Sequence, residues 1–336
     1  MQKSERFYWI DWAKSIGIFL VVLGHVKFQN TQITQFIYSF HIPLFFFVSG
    51  FLDRDTSQIK FKDFAIKTAK RLLIPYLFFK IIFIPIYWYW FRNQEFNISL
   101  ITRPLVGIFL GNGISNAYTF SLNTPTWFLY ALFLMKMLQY VFTKYFSLSI
   151  QFRIMLAMSI LGVFLRMFFT FLPFCIDAIL MGYAFFFMGK IVAVYKEKLN
   201  FNYQILIGIA VVSLVLLCIT NYYNGRIDIC KYTYGKYPIL FYLSGVFGII
   251  CCVSVSQILA KITIPKSMLF ISENTLSILG LHLLINAPFF IVLAEKYQIQ
   301  SINFQQGILL ATVEILLTVP LIILLNKYLP ALVGRK

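Results

Sequence analysis

Charge is sparse in this sequence, and one sign of it is sparser still. Charged residues make up 12% of 336, and 12 Asp and Glu stand against 29 Lys and Arg. A soluble domain carries about a quarter of its residues charged, so an ordinary hydrated surface is excluded. Cysteine is limited to five, an odd number, and Cys175, Cys218, Cys251 and Cys252 lie inside apolar runs without Cys-x-x-Cys or Cys/His spacing. That excludes a disulfide framework and a zinc site and leaves free, inert thiols; no metal is expected. The chain shows no internal repeat and no low-complexity tract. Asp11 and Lys14 interrupt the first apolar run and no small-residue cleavage site follows Val26, so the run reads as a retained helix rather than a signal peptide.

What is abundant is apolar surface: 60% of residues are hydrophobic and 19% aromatic, with a mean hydropathy of +0.79. One soluble core could not bury that much, so lipid must take the rest. Apolar spans fall at 10–27, 36–52, 72–91, 125–142, 152–170, 174–194, 203–221, 237–260, 269–293 and 305–326. The expected fold is an all-α polytopic bundle of about ten transmembrane helices, with residues 1–336 forming one domain. From Lys3 to Lys336, 18 of the Lys and Arg fall on the side of the N-terminus, seven on the opposite side and four within spans. The positive-inside rule then places both termini in the cytoplasm. Because the basic residues are spread between spans, the net charge of +17 is a topology signal, and no nucleic-acid partner is expected.

Residues 58–72 place Phe61, Phe64, Ala65, Thr68 and Leu72 at helical spacing among lysines, the pattern of an interfacial amphipathic helix. Two outer loops, about 92–124 and 222–236, are long enough for recognition. The first holds Gly111, Asn112, Gly113, Asn116, Ser121 and Asn123, which suit either hydrogen bonding to a sugar or an ordinary turn.

Ionisable residues inside a membrane are expensive and mark functional positions. The first span carries Asp11, Lys14 and His25. At 100° per residue, Lys14 and His25 are about 20° from perfect alignment and Asp11 about 40°, so all three share one helical face. Lys14 lies roughly 16 Å from His25 along the axis, toward the cytoplasmic end. The chain's three histidines, His25, His41 and His282, fall roughly 22, 16 and 20 Å deep in their spans. A common depth is what a single buried site would produce, and histidine is the side chain suited to proton exchange near neutral pH.

Around His41 runs His41-Ile-Pro43-Leu-Phe-Phe-Phe-Val-Ser49-Gly50-Phe51, where Pro43 is expected to kink the helix. Gly50 allows a close helix contact, and Ser49 reads equally as part of that packing seam or as a functional hydroxyl. Trp127, in Thr124-Pro-Thr-Trp-Phe-Leu129, is either an interfacial anchor or part of an acceptor site. Arg166 and Asp177 are expected to pair near the outer ends of neighbouring helices. Lys80, Lys136, Glu273 and Glu314 read as snorkelling or cavity-lining groups.

Taken together, Asp11-x-x-Lys14 with His25 after ten further residues, Tyr38-Ser-Phe-His41-x-Pro43-Leu-Phe-Phe-Phe-Val-Ser49-Gly50-Phe51, Thr126-Trp-Phe-Leu129 and Ser277-Ile-Leu-Gly-Leu-His282 resemble acyltransferase family 3. These are integral membrane acyltransferases, and the resemblance is closest to the fucose 4-O-acetylase-like branch. It implies transfer of an acyl group, usually acetyl from acetyl-CoA, to a hydroxyl of a cell-surface glycan or its lipid-linked precursor, in the bacterial inner membrane. It also implies that His25 is the essential histidine, Lys14 its basic partner where many members have Arg, and Arg71 the basic residue at the start of the third helix. On this reading Asp11 and His41 join His25 and Lys14 in the catalytic set. Lys14, Lys70 and Arg71 bind the donor's phosphates, and His282, Trp127 and Ser49 face the substrates. Membrane lipids and polysaccharide-synthesis enzymes are the further expected partners. The rival readings are an exporter or flippase of a glycan or lipid-linked sugar, against which stands the lack of paired broken helices, and a scaffold with a degenerate site.

Overall fold

Polar side chains cap several of the helices that the hydropathy pattern predicts. Asn30 and Asn202 accept hydrogen bonds from the backbone N–H groups of Gln32 and Ile205, and Asn303 with Gln306 forms a capping box. The computed structural model describes residues 6–54, 56, 58–111, 113–169, 171–195 and 201–335; Lys3, Lys196, Lys198 and Lys336 of the charge pattern, and Asn112 of the first outer loop, lie outside them. The helices are α1 (Tyr8–Gly24), α2 (Thr31–Tyr38), α3 (His41–Phe51), α4 (Phe61–Ile81), α5 (Ile84–Trp90), α6 (Ser99–Leu110) and α7 (Trp127–Tyr145). They continue as α8 (Leu148–Phe168), α9 (Ile176–Val194), α10 (Tyr203–Asn224), α11 (Pro238–Ala260), α12 (Lys266–Glu273), α13 (Thr275–Tyr297) and α14 (Phe304–Tyr328). A short antiparallel hairpin, β1 (Ile227–Asp228) and β2 (Thr233–Tyr234), pairs Ile227 with Tyr234 and Asp228 with Thr233.

Among the described residues, eight helical segments are long and apolar enough to cross a membrane. The other two of the ten expected spans fall on α1, with 17 residues that include Asp11 and Lys14, and on α7, which carries Lys136 and Gln139. The physical reason is clearest for α1. It packs against α2, α3, α11, α12, α13 and α14, so protein rather than lipid surrounds its polar residues.

Three local expectations change. Residues 58–72 do not form a separate interfacial helix: α4 runs on unbroken from Phe61 to Ile81. Phe64, Thr68 and Leu72 are buried and only Phe61 of the apolar face stays exposed. Pro43 does not kink a helix from within, because it sits in the first turn of α3, where a missing N–H is tolerated; the break falls earlier, at Ser39 and Phe40. Arg166 and Asp177 do not pair. Tyr234 stands between them, its hydroxyl donating to Asp177 Oδ2 at 2.6 Å while the Arg166 guanidinium lies over its ring and donates to Gly235 O. Burial, reinforced by the Asp177 charge, pushes the Tyr234 phenol well above its ordinary value and keeps it a donor.

Helices α3 and α9 approach closely. Gly50 faces the Phe186 carbonyl and Gly189 faces the Phe47 carbonyl, and neither approach leaves room for a Cβ. At the opposite end from Arg6, residues 113–126 fold back into the helices. The Lys80 ammonium donates to Ser121 Oγ and to Leu122 O, and Asn123, at φ 42°, donates to Phe79 O at 3.0 Å and Gly280 O at 2.7 Å. Asn116 Oδ1 accepts from Tyr118 N and Thr119 N, and Ser115 Oγ from Ser121 N. Asn116 and Ser115 are thus used in the loop's own turns, whereas Asn123 ties the loop to α4 and α13 and leaves its buried Oδ1 without a partner among the described residues.

Candidate functional site

Each of the three histidines turns Nδ1 back onto the carbonyl four residues before it. The distances are 2.7 Å for His25 to Val21 O, 2.9 Å for His41 to Ile37 O and 3.1 Å for His282 to Ile278 O. A carbonyl oxygen only accepts, so Nδ1 carries the proton in every ring, and in a neutral ring Nε2 keeps its lone pair. That is the tautomer a base or nucleophile needs.

The helices then bring the rings together. His25 caps α1 and its ring stands 5.0 Å from that of His282 on α13, edge to face at 68°. On its other side Tyr38 lies 6.2 Å away, and His41 is 4.9 Å beyond Tyr38. Tyr38 reaches this place because Gly24, just before His25, has no Cβ; one built there would stand 2.7 Å from Tyr38 Cε1. His41 and His282 are fully buried and His25 half-buried. The Nε2 of His282 has no hydrogen-bond partner among the described residues.

The opposite end of α1 forms a basic mouth. Asp11 uses both carboxylate oxygens, one accepting from Arg6 Nε at 2.8 Å and the other from Ser272 Oγ at 2.6 Å. Arg6 also donates to Glu273 at 3.0 Å, and the bond to Asp11 is the main cause that raises its already high pKa. Ser15 Oγ donates to Met268 O, so α12 is fastened to α1 at two points. Lys14 is left without a hydrogen-bond or ion-pair partner among the described residues, within electrostatic range of Asp11, Arg71, Glu273 and Arg6. Lys70 and Arg71 are exposed on α4. The chain's last described turn closes on Arg71: Gly334, at φ +74°, lies so near that a Cβ would stand 2.6 Å from Arg71 O. Asp11 belongs to this mouth, about 21 Å from His25 along α1, and so acts on the histidines only through the helix.

Ser49 lies apart from the rings. Ser49 is half-buried on α3, beside the Gly50 seam and about 12 Å along the helix from His41. Trp127 is 4% exposed, which removes the interfacial-anchor reading. It packs beneath Gly113, whose hydrogen position faces both the Trp127 ring and Cys230 Sγ.

Two features escaped the sequence. Tyr38 links His25 to His41, and its only signal was its place in the motif before His41. Asp228, in the β1–β2 hairpin, is 4% exposed, pairs with Arg226 at 3.6 Å and Lys231 at 3.7 Å, and lies within electrostatic range of His25 and Tyr38. Burial, then the Asp228 charge, pushes the neighbouring Cys230 thiol well above its ordinary value, so it stays a neutral thiol donating to Gly113 O. All five cysteines are free, and no cluster among the described residues could hold a metal ion.

No curated protein and no solved structure matches the chain. The acyltransferase-domain model of acyltransferase family 3 matches residues 7–327, from just before α1 to the last turn of α14. A match over nearly the whole chain, on a bundle with eight apolar helices long enough to cross a membrane, places this multi-pass membrane protein in acyltransferase family 3 as an acyltransferase.

Proposed function

We propose that the protein is an O-acyltransferase of the fucose 4-O-acetylase-like branch, in the bacterial inner membrane with its basic mouth toward the cytoplasm. It moves an acetyl group from acetyl-CoA to a hydroxyl of a surface polysaccharide or its lipid-linked precursor. The observation that carries this reading is the polarity of α1, with an unpartnered Lys14 at the basic mouth and a half-buried His25, its Nδ1 anchored, at the far end. The donor's phosphates meet Lys14, Lys70 and Arg71 by charge-assisted hydrogen bonds. Lys14 does so as a point charge, lacking the two-pronged grip of an arginine.

The thioester then lies near His25. As the sugar hydroxyl oxygen attacks the thioester carbon, the C–S bond breaks and the hydroxyl proton passes to His25 Nε2 and on to the departing thiolate. A two-step route needs the same free lone pair: Nε2 takes the acetyl group as the C–S bond breaks, and the N–C bond then breaks as the hydroxyl oxygen takes the acetyl group and its proton passes to the CoA thiolate. In this reading His282 and His41, whose Nε2 atoms are acceptors, help to orient the acceptor's hydroxyl groups.

The test is radiolabelled acetyl transfer from acetyl-CoA to the host's surface glycan, comparing wild type with His25→Ala and Lys14→Ala at matched membrane levels. His25→Ala is expected to lose about 100- to 10,000-fold in rate, the range for a removed general base. A glycan that keeps its full acetyl content under His25→Ala would overturn the assignment.

A further inference from the structure

Glu314 of α14 is completely buried in the middle of the bundle, the costliest kind of residue to place there. Its single hydrogen bond comes from Asn286 of α13, Nδ2 to Oε1 at 2.8 Å, and its other oxygen, Oε2, has no partner among the described residues. Asn286 stands four residues after His282, on the same face of α13 and about 6 Å away between Cβ atoms. Thus His282 Nε2 on α13 and Glu314 Oε2 on α14 are both fully buried and unpartnered among the described residues, and Asn286, which holds Glu314, lies one turn along α13 from His282.

A carboxyl kept only to join two helices does not need a free oxygen. A buried acceptor left unmade is expensive, so the pair points to a polar guest. We propose that Glu314 Oε2, held by Asn286, and His282 Nε2 line the subsite for the acyl acceptor. Glu314 accepts a hydrogen bond from a hydroxyl neighbouring the one acylated, which fits a polyol such as a sugar ring and not a simple lipid alcohol. This rests on the acyl-transfer reading and adds to it the residues that select the acceptor. Glu314 is a binding residue here, since the proton of the reacting hydroxyl goes to His25.

Glu314→Gln separates binding from packing. The Gln carbonyl still accepts from Asn286, while an NH2 donor replaces the Oε2 acceptor. The assay uses the full chain in detergent micelles, acetyl-CoA as donor and the de-O-acetylated surface polysaccharide of the host as acceptor. Glu314→Gln is expected to raise the KM for polysaccharide about 10- to 100-fold, the effect of leaving a buried polar group of the acceptor without its hydrogen bond. The KM for acetyl-CoA should stay within about twofold. Glu314→Asp, which keeps the acceptor chemistry on a shorter arm, should fall between.

An active Glu314→Gln protein with unchanged polysaccharide KM overturns the subsite and leaves the acyl-transfer reading standing. A wild type that transfers nothing to the polysaccharide overturns that reading and the subsite with it. Failure of both variants to accumulate as folded protein assigns the carboxyl to structure and likewise overturns the subsite.

Discussion

Replacing Gly50 with alanine adds one methyl group where α3 meets the Phe186 carbonyl of α9. Real Cβ atoms essentially never come closer than 3.0 Å to a neighbour, and here the new atom would fall well inside that limit against rigid backbone. Relief requires the two helices to separate by about 1 Å, which also loosens the packing of their neighbours. The reciprocal Gly189–Phe47 contact and the Gly182–Phe46 contact lie along the same seam and open with it. Overpacking of this kind costs about 1–3 kcal/mol, and more where backbone must move, so about 3 kcal/mol is expected for Gly50→Ala. At about 2–4 °C per kcal/mol, the melting temperature should fall by about 6–12 °C.

The buried thiols supply the assay. Cys175 and Cys252 become reactive to a thiol-sensitive fluorophore only on unfolding, and a background carrying Cys218→Ser, Cys230→Ser and Cys251→Ser removes the thiols that are not buried. Gly208→Ala is the control, because nothing lies within 4 Å of that position on α10, and it should gain about 0.5–1 kcal/mol from helix propensity. Gly50→Ala and Gly189→Ala combined should cost less than their sum, since the first has already parted the helices. A Gly50→Ala protein that melts with the Gly208→Ala control would refute the seam.

Lys80→Met should free the 113–126 loop without disturbing the bundle, because Leu122 O and Ser121 Oγ lose their donor. Losing about 1–3 kcal/mol of local stability corresponds to chymotryptic cleavage after the exposed Tyr118 about 5- to 150-fold faster, and an unchanged rate would count against the anchor. The Cys230 thiol, raised above its ordinary 9.0, should be alkylated in the native protein at a rate that shows no plateau up to pH 10. In the unfolded chain the rate should be half-maximal near pH 9 and level off about one pH unit higher, read by mass spectrometry of the 230-containing peptide. The sign follows from linkage: the folded state holds this proton more tightly, so the associated stability is complete below pH 9 and declines above it.

Hydropathy and helical phase carried the helices, because lipid asks only for length and apolarity. They failed where protein replaces lipid as the surroundings. The enclosed α1 could keep Asp11 and Lys14 in a helix of only 17 residues. The alignment of Lys14 and His25 was legible because helical phase is a property of the chain alone. Side-chain partners were not. Tyr234 taking Asp177 from Arg166, Asp228 approaching His25 from the β1–β2 hairpin, and Glu314 meeting Asn286 all join distant segments, which no local spacing encodes. The turn chemistry of 113–126 was ambiguous for the same reason, since an asparagine that binds a guest and one that binds Gly280 O read alike in sequence.

The anchors of the three imidazoles are backbone carbonyls, and this has a consequence for how such a site can change over time. A carboxylate that orients a histidine can be lost by a single base change and can itself pick up a proton. Val21, Ile37 and Ile278 offer their oxygens whatever side chain they carry. Drift at those three positions therefore leaves each ring's tautomer intact, and the orientation of the rings is inherited with the helix rather than with any residue.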